Sequence, residues 1–112
     1  MDRFKRSELI IGTDAQEALR QSKVIVFGIG GVGSYVAEAL ARAGIGSISL
    51  VDSDVVCESN INRQIIALES TIGKPKTEVM KSRIEDINSE CDVKAYQVFY
   101  TKEKEIDISC YD

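Results

Sequence analysis

Residues 23–33 read KVIVFGIGGVG, and this stretch decides the fold. After Lys23 comes a continuous apolar run with three β-branched residues, which is typical of a strand buried on both faces of a parallel sheet. The run ends in a glycine-rich turn, and the alanine-rich segment 32–43 then places its apolar residues at helical spacing. Gly44 follows directly and predicts a left-handed end to that helix.

Further elements are predicted on the C-terminal side of this unit. A second strand is expected over residues 47–51, and the strand–helix–strand unit should have the usual right-handed crossover. Pro75 suits the first turn of a helix that runs to about Asn88, and a third strand is expected over residues 93–99. The charged run 102–105 predicts the start of one more helix.

Two other segments have weaker signals. Thr13 and Gln16 have the spacing of a capping box, which predicts a short helix through about Arg20. Residues 53–71 lack a long period, so an irregular or briefly helical connection is expected there. Connections of this length are often functional.

These elements together predict an α/β fold with a Rossmann-like, doubly wound and mainly parallel sheet. With three strands, the first would lie at an edge, although its composition favours neighbours on both sides. We therefore expect residues 1–112 to be the N-terminal part of a single domain, truncated before its fourth strand. The alternative is that another chain supplies the missing strand.

The composition favours a globular domain and excludes several classes of site. The chain has 112 residues, of which 44% are hydrophobic and 29% charged, with a net charge of -4. Because it has no apolar stretch of membrane-spanning length and no leader, a cytoplasmic location is expected. The acidic balance argues against a broad nucleic-acid-binding face. There is no histidine, and Cys57, Cys91 and Cys110 form no CxxC pair, so no metal site is predicted.

The strongest functional signal is the turn GIGGVG at residues 28–33. Gly28 permits a tight turn, and Gly30 and Gly31 let backbone N–H groups approach a phosphate, while Gly33 allows close helix–strand packing. Asp52 ends the second strand, where a carboxylate can accept hydrogen bonds from ribose hydroxyls. These features predict nucleotide binding and fit NAD as well as ATP.

A second polar segment favours ATP. Residues 59–64 read SNINRQ and residues 73–76 read GKPK, which brings amide and basic side chains just past the second strand. Arg63 and Lys76 would neutralise a triphosphate and steady a departing pyrophosphate. Binding of NAD has less need of these positive charges. An NAD-dependent dehydrogenase or a nucleotide-sensing module therefore remains the alternative from another functional class.

With these motifs the chain resembles the E1-like adenylating enzymes, the family that includes ThiF, MoeB and HesA. The matching motifs are RFKR at 3–6, GIGGVG at 28–33, VDSD at 51–54, NINRQ at 60–64 and GKPK at 73–76. The resemblance implies that residues of these motifs bind ATP, namely Gly28, Gly30, Gly31, Gly33, Asp52, Asp54, Asn60, Asn62, Arg63, Gln64 and Lys76.

The resemblance also implies individual roles. Gly31 would lie against the phosphates, Asn60 and Arg63 would contact the phosphate chain, and Lys76 would reach the α- and β-phosphates. Arg6 would reach across a homodimer interface to the γ-phosphate of the partner's nucleotide. Arg6, Arg63 and Lys76 are therefore the expected catalytic residues.

The implied chemistry is attack of a carboxylate on the α-phosphate of ATP, which gives an acyl-adenylate and pyrophosphate, with Mg²⁺ sharing the charge. Residues 3–12, 26–34 and 72–80 look most like the branch that cyclises and dehydrates threonylcarbamoyladenosine in tRNA. The alternative is adenylation of the C-terminal glycine of a ubiquitin-like sulfur carrier. In the family an aspartate on the next strand helps to bind Mg²⁺, so these 112 residues alone are expected to be inactive.

Overall fold

The computed structural model describes residues 4–98 and Tyr111. Its helices and strands are α1 (Lys5–Ile11), α2 (Thr13–Gln21), β1 (Lys23–Phe27), α3 (Gly31–Ala43), β2 (Ser47–Val51), α4 (Lys76–Ile87) and β3 (Asp92–Tyr96). Two short 3-10 helices, Glu58–Asn60 and Glu69–Thr71, interrupt the connection between β2 and α4. Phe99 and the helix predicted at residues 102–105 lie outside the described residues.

The three strands form one parallel sheet in the order β1-β2-β3. Each β-α-β step places its helix between neighbouring parallel strands, which is the arrangement of one half of a doubly wound sheet. The predicted α/β class, the first two strands and the briefly helical connection are confirmed. The third strand starts one residue earlier than predicted and ends at Tyr96.

Side chains alternate between the two faces of β2 because successive residues of a strand point in opposite directions. Ile48 and Leu50 are fully buried and belong to the core that α3 and α4 cover. Ser49 lies between them and faces the other way, where its Oγ is 2.6 Å from the hydroxyl of Tyr111. The buried core is Val26, Ile29, Ala37, Ala41, Ile45, Ile48, Leu50, Val56, Ile66, Ala67, Met80, Ile84, Cys91 and Val93.

An ion cluster joins α3 to α4. Glu38 on α3 accepts a hydrogen bond from Arg83 on α4, and Arg42 lies 3.4 Å from its second oxygen. Burial raises the pKa of Glu38, but the hydrogen bond and charge of Arg83, with those of Arg42, bring the pKa below its usual value. This cluster links the two helices, which the successive crossovers of the parallel strands place side by side on one face of the sheet.

The expectation that β1 is buried on both faces is wrong for the described part of the chain. β1 lies at an edge of the sheet, and Val26 is its one buried residue. Phe27 is 46% exposed. β2, which has a strand on each side, is the element that is buried almost throughout.

The capping box predicted for α2 is also wrong. Gly12 is the N-cap, with φ at 89°, and no side chain caps the helix. Gln16 is buried instead, and its Nε2 donates a hydrogen bond of 2.8 Å to the carbonyl of Ala43 at the end of α3. The left-handed end predicted for α3 is confirmed, since Gly44 has φ 100° and ψ 24°. The tertiary contact with α3 therefore outweighs the local cap for Gln16.

Candidate functional site

The turn between β1 and α3 depends on glycine at two positions. Gly28 has φ 86°, a conformation that strains any residue with a Cβ, and its N–H donates to the carbonyl of Val51 at 2.8 Å. A Cβ on Gly33 would lie 1.7 Å from the carbonyl oxygen of Gly28. The tight turn and the close packing predicted for these two glycines are therefore confirmed.

The N-terminus of α3 is open at this turn. Gly30 is the N-cap, and no side chain caps the helix. Within residues 4–98, the N–H groups of Gly30 and Gly31 donate no hydrogen bond, and a Cβ on Gly31 would meet nothing within 4 Å. Free N–H groups and the helix dipole together favour an anion at this position.

Asp52 fastens the turn to the loop that follows β2. Its Oδ2 accepts a hydrogen bond from the N–H of Ile29 at 2.6 Å, and its Oδ1 accepts one from the N–H of Asp54 at 2.8 Å. Asp52 therefore holds the shape of the turn besides standing where a ribose is expected. No sequence motif points to Ile29, because a backbone N–H has no residue-type signature.

The same loop positions Lys76 at the start of α4. The N–H of Lys76 donates to the carbonyl of Asp54 at 3.0 Å, and Val55 pairs with Pro75 in an antiparallel bridge. The Lys76 side chain is 6% exposed. Its ammonium takes part in none of the ion pairs that the described residues form. The buried part of Lys76 is its aliphatic stem, since Nζ is not among the buried atoms of the described residues that lack a hydrogen bond, and the ammonium is therefore accessible to an anion.

The segment 60–64 brings three more of the predicted residues to this side of the sheet. Asn60 is buried, and its Oδ1 accepts the N–H of Cys57 at 2.9 Å. Arg63 is exposed, and its Nη1 donates to the carbonyl of Ser59 at 2.8 Å and to Oδ1 of Asn62 at 3.1 Å. These bonds hold the Arg63 guanidinium close to its own loop.

Gln64 lies next to the glycine turn. The side chain is 8% exposed, and a Cβ built on Gly30 would be 3.6 Å from its Nε2. This proximity connects the 60–64 segment with the N-terminus of α3. The structure thus brings the turn, Asp52 and Gln64 together. Lys76 is connected to them through the hydrogen bond of its N–H to the carbonyl of Asp54.

A pocket of about 240 Å³ opens beside the turn, at the carboxyl ends of β1 and β2. Ligands of open α/β sheets bind at this end of the strands. The pocket is lined by Phe27, Gly28, Val51, Asp52, Ser53, Asp54 and Val98. A larger groove of about 380 Å³ runs between α4 and residues 65–71, away from the glycine turn.

Arg6 is not brought to the glycine turn of its own chain. It lies on α1, and its neighbours Phe4 and Glu8 line a pocket with Gly44, which is at the opposite end of α3. Its expected contact with a nucleotide therefore requires a second copy of the chain. In the described ranges, no three His, Cys, Asp or Glu side chains group together as metal ligands.

Comparison with known proteins identifies the family. Residues 4–112 match the ThiF family. The chain belongs to this family. It is 55% identical over 103 residues to the tRNA threonylcarbamoyladenosine dehydratase of Bacillus subtilis (strain 168), which covers 92% of this chain and 41% of that protein. It is 34% identical over 110 residues to the sulfur carrier protein adenylyltransferase of Thermus thermophilus, covering 96% of this chain and 41% of that one.

A solved structure supports the same assignment. The structure of the E. coli tRNA N6-threonylcarbamoyladenosine dehydratase in complex with ATP superposes with a TM-score of 0.87 at 48% identity, over 89% of this chain and 41% of that one. The predicted Rossmann-like fold is confirmed, and the nucleotide in that structure is ATP rather than NAD. The ThiF-family chain described here spans about two fifths of the length of these relatives. None of its helices in the described part has the length and apolar character to cross a membrane.

Proposed function

We propose that the protein activates a carboxylate by adenylation with ATP, and that this carboxylate belongs to threonylcarbamoyladenosine in tRNA. The observation that carries the proposal is the open N-terminus of α3 beside Asp52, together with Lys76 on the same loop system, whose ammonium makes no ion pair among the described residues. The identity of 55% to a tRNA threonylcarbamoyladenosine dehydratase supports the choice of acceptor.

The proposed reaction has two steps, which polar and charged groups of the site assist. An oxygen of the substrate carboxylate attacks the α-phosphorus of ATP, and pyrophosphate leaves. A nucleophilic atom of the same nucleoside then attacks the activated carbonyl and releases its proton to solvent, the ring closes, and AMP leaves with the carboxylate oxygen. The N–H groups at Gly30 and Gly31 bind phosphate oxygens, Lys76 neutralises the reacting phosphates, and Arg63 stabilises the leaving pyrophosphate. Asp52 holds the ribose as well as the turn.

In this proposal the nucleotide site also includes Asp54, Asn60, Asn62 and Gln64. The described residues do not by themselves form a metal site. We propose that Mg²⁺ would arrive bound to ATP, whose phosphate oxygens are ligands that this cation prefers, and would share the charge of the triphosphate.

Residues 1–112 are proposed as the N-terminal portion of a single adenylation domain. Two observations support this: the chain covers 41% of its Bacillus subtilis relative, and β1 has an open edge in the described sheet. A homodimer completes the site through Arg6. Leu9 and Ile10 on the same helix are 82% and 86% exposed, which fits a helix that packs against a partner. We place the reaction in the cytoplasm, where tRNA and ATP are found.

The proposal is tested with the intact protein, ATP and tRNA that carries threonylcarbamoyladenosine. Mass analysis of the nucleosides should show the loss of one water, dependent on ATP and on the modified nucleoside. Arg63→Ala and Lys76→Ala should each slow the reaction, while Lys94→Ala, at an exposed position of β3, serves as the charge-matched control. An unchanged nucleoside in the presence of ATP would contradict the choice of tRNA.

A second candidate function is adenylation of the C-terminal glycine of a ubiquitin-like sulfur carrier. The 34% identity to a sulfur carrier protein adenylyltransferase favours it. ATP–pyrophosphate exchange that depends on such a carrier, with no effect of tRNA, would establish this function and leave the adenylation proposal intact.

A further inference from the structure

Gln16 has a buried amide oxygen without a partner, and the orientation of this amide is fixed. The side chain is 7% exposed, and its Nε2 donates a hydrogen bond of 2.8 Å to the carbonyl of Ala43. A carbonyl can only accept, so the amide cannot turn over without losing this bond. Its Oε1 is therefore held in place, buried and without a hydrogen bond among the described residues. Buried acceptors almost always have a donor, so this oxygen calls for one.

Gln16 lines a pocket of about 140 Å³ at the amino ends of the strands, which is the end of the sheet opposite the glycine turn. The lining also includes Phe4 and Glu8 from α1, Gly44 at the end of α3, and Glu90 shortly before β3. The pocket is more enclosed than the one beside the glycine turn. One water needs only about 10–15 Å³ of such space, so there is room for a small organic group.

The charge around this pocket is negative. Glu8 and Glu90 bring two carboxylates, and neither makes an ion pair within residues 4–98. Arg20 also lines the pocket, but its guanidinium is paired with Glu17, three residues earlier on α2, at 2.5 Å. The two carboxylates and the oxygen of Gln16 are all hydrogen-bond acceptors. The ligand that satisfies them is a cation that carries N–H or O–H donors.

Two features favour an organic ammonium over a metal ion. The ring of Phe4 lies beside the amide of Gln16, since a Cβ built on Gly44 would be 3.5 Å from the ring and 2.6 Å from Nε2. An aromatic ring attracts an alkylammonium, whereas a metal ion takes oxygen, nitrogen or sulfur ligands. Across the described ranges, no three His, Cys, Asp or Glu side chains group together as metal ligands. A primary ammonium has three N–H donors, which matches the three side-chain acceptors of the pocket.

We propose that this pocket binds the primary ammonium group of a small aliphatic amine, which donates hydrogen bonds to Oε1 of Gln16 and to the carboxylates of Glu8 and Glu90. The site is separate from the nucleotide site and does not depend on the proposed function. α1 has no buried residue of its own. A ligand held by Glu8 on α1 and by Glu90 before β3 joins this helix to the rest of the domain, so amine binding stabilises α1.

The test measures binding of butylammonium to the intact protein by calorimetry, with butanol as the neutral control and K⁺ and Mg²⁺ as the metal controls at equal ionic strength. Butylammonium should bind at one site per chain. Glu8→Gln and Glu90→Gln should each weaken this binding about 10-fold, since a hydrogen bond to a charged acceptor becomes a neutral one. Gln16→Met should weaken it by a similar factor. Glu85→Gln, an exposed change on α4, should leave it unchanged, and thermal unfolding shows that each variant is folded.

Several results would overturn the proposal. Wild-type affinity in both Glu8→Gln and Glu90→Gln would overturn the site, and so would butanol that binds as tightly as butylammonium. These two variants keep the contact of Gln16 with Ala43, so they decide the question even if Gln16→Met does not fold. Displacement of butylammonium by K⁺ or Mg²⁺ would make this a metal site and overturn the organic ligand.

Hydrogen exchange tests the effect on α1. At an amine concentration ten times the Kd, exchange of the α1 amides should slow about 10-fold, because the ligand binds only when this helix is in place. Glu8→Gln should lose most of this protection at the same amine concentration. Unchanged exchange of α1 in the wild-type protein with bound amine would overturn its stabilisation by the ligand.

Discussion

The carboxylate of Asp52 joins the backbone of Ile29 to the backbone of Asp54, through hydrogen bonds of 2.6 Å and 2.8 Å. Ile29 lies inside the glycine turn, and the carbonyl of Asp54 accepts the N–H of Lys76. A continuous set of contacts therefore runs from the turn to the first residue of α4. Asp52 is thus the side chain that links the glycine turn to the loop carrying the Lys76 backbone, in addition to the backbone contacts between Val55 and Pro75.

Asp52→Asn should loosen this connection. The amide keeps the shape but has one acceptor oxygen for two N–H donors, so we expect the free energy of unfolding to fall by about 1–3 kcal/mol. ATP affinity should fall as well, because the turn loses its support. Urea unfolding and calorimetry measure the two effects. Asp86→Asn, an exposed change on α4, is the control, and equal stability of the two variants would contradict the bridging role.

Alanine at Gly33 and alanine at Gly31 should have different effects. The Cβ of the first would sit 1.7 Å from a backbone oxygen, whereas that of the second would meet nothing within 4 Å. Gly33→Ala should therefore lower the free energy of unfolding by about 3 kcal/mol or more. Gly31→Ala should fold normally and bind ATP more weakly, because its methyl group occupies the anion position. Normal ATP affinity in folded Gly31→Ala would argue against a phosphate there.

Lys76→Met should separate binding from stability. The ammonium makes no ion pair among the described residues and methionine keeps the buried aliphatic stem, so the variant should be about as stable as the wild type. ATP affinity should fall by about 10- to 100-fold, the loss of one charge-assisted hydrogen bond of about 1.5–3 kcal/mol. Lys94→Met, at an exposed position, should change neither quantity. A strong loss of stability in Lys76→Met would show that this ammonium has a structural partner.

Cys91 should make the stability of the protein sensitive to high pH. Burial, with the charge of Asp92, raises the pKa of its thiol from 9.0 to about 11. The folded protein keeps a proton that the unfolded chain loses, so this contribution to stability is present below pH 9 and is lost as the pH rises toward 11. Urea unfolding should therefore show a smaller decline above pH 9 for Cys91→Ala than for the wild type. Cys57→Ala, at an exposed thiol, should decline like the wild type.

The fold was predictable where local signals and tertiary contacts agree. The left-handed Gly44 and the helix after Pro75 follow from residue type, and the structure contains both. Gln16 shows the opposite case. Its spacing from Thr13 fits a capping box, but its amide donates a hydrogen bond to the carbonyl of Ala43 at the end of α3 instead. α1 has neither a cap nor a buried face to indicate it, so the sequence carries no signal for this helix.

The candidate site was predictable as a set of residues but not as a geometry. The glycine motif and Asp52 could be found from spacing alone. The hydrogen bond from Ile29 to Asp52 and the approach of Gln64 to Gly30 could not, because one uses a backbone group and the other depends on how two distant loops pack. Arg6 is predicted by family resemblance alone, and its place on α1 is far from the glycine turn of its own chain.

The measurement that tests the central claim most directly follows one oxygen atom. The intact protein is given ATP and tRNA whose threonylcarbamoyl carboxylate is labelled with ¹⁸O, and the nucleotide products are analysed by mass spectrometry. Adenylation predicts AMP and pyrophosphate, with one labelled oxygen in AMP for each nucleoside that loses water. Labelled phosphate together with ADP, or AMP without the label, would contradict attack of the carboxylate on the α-phosphate.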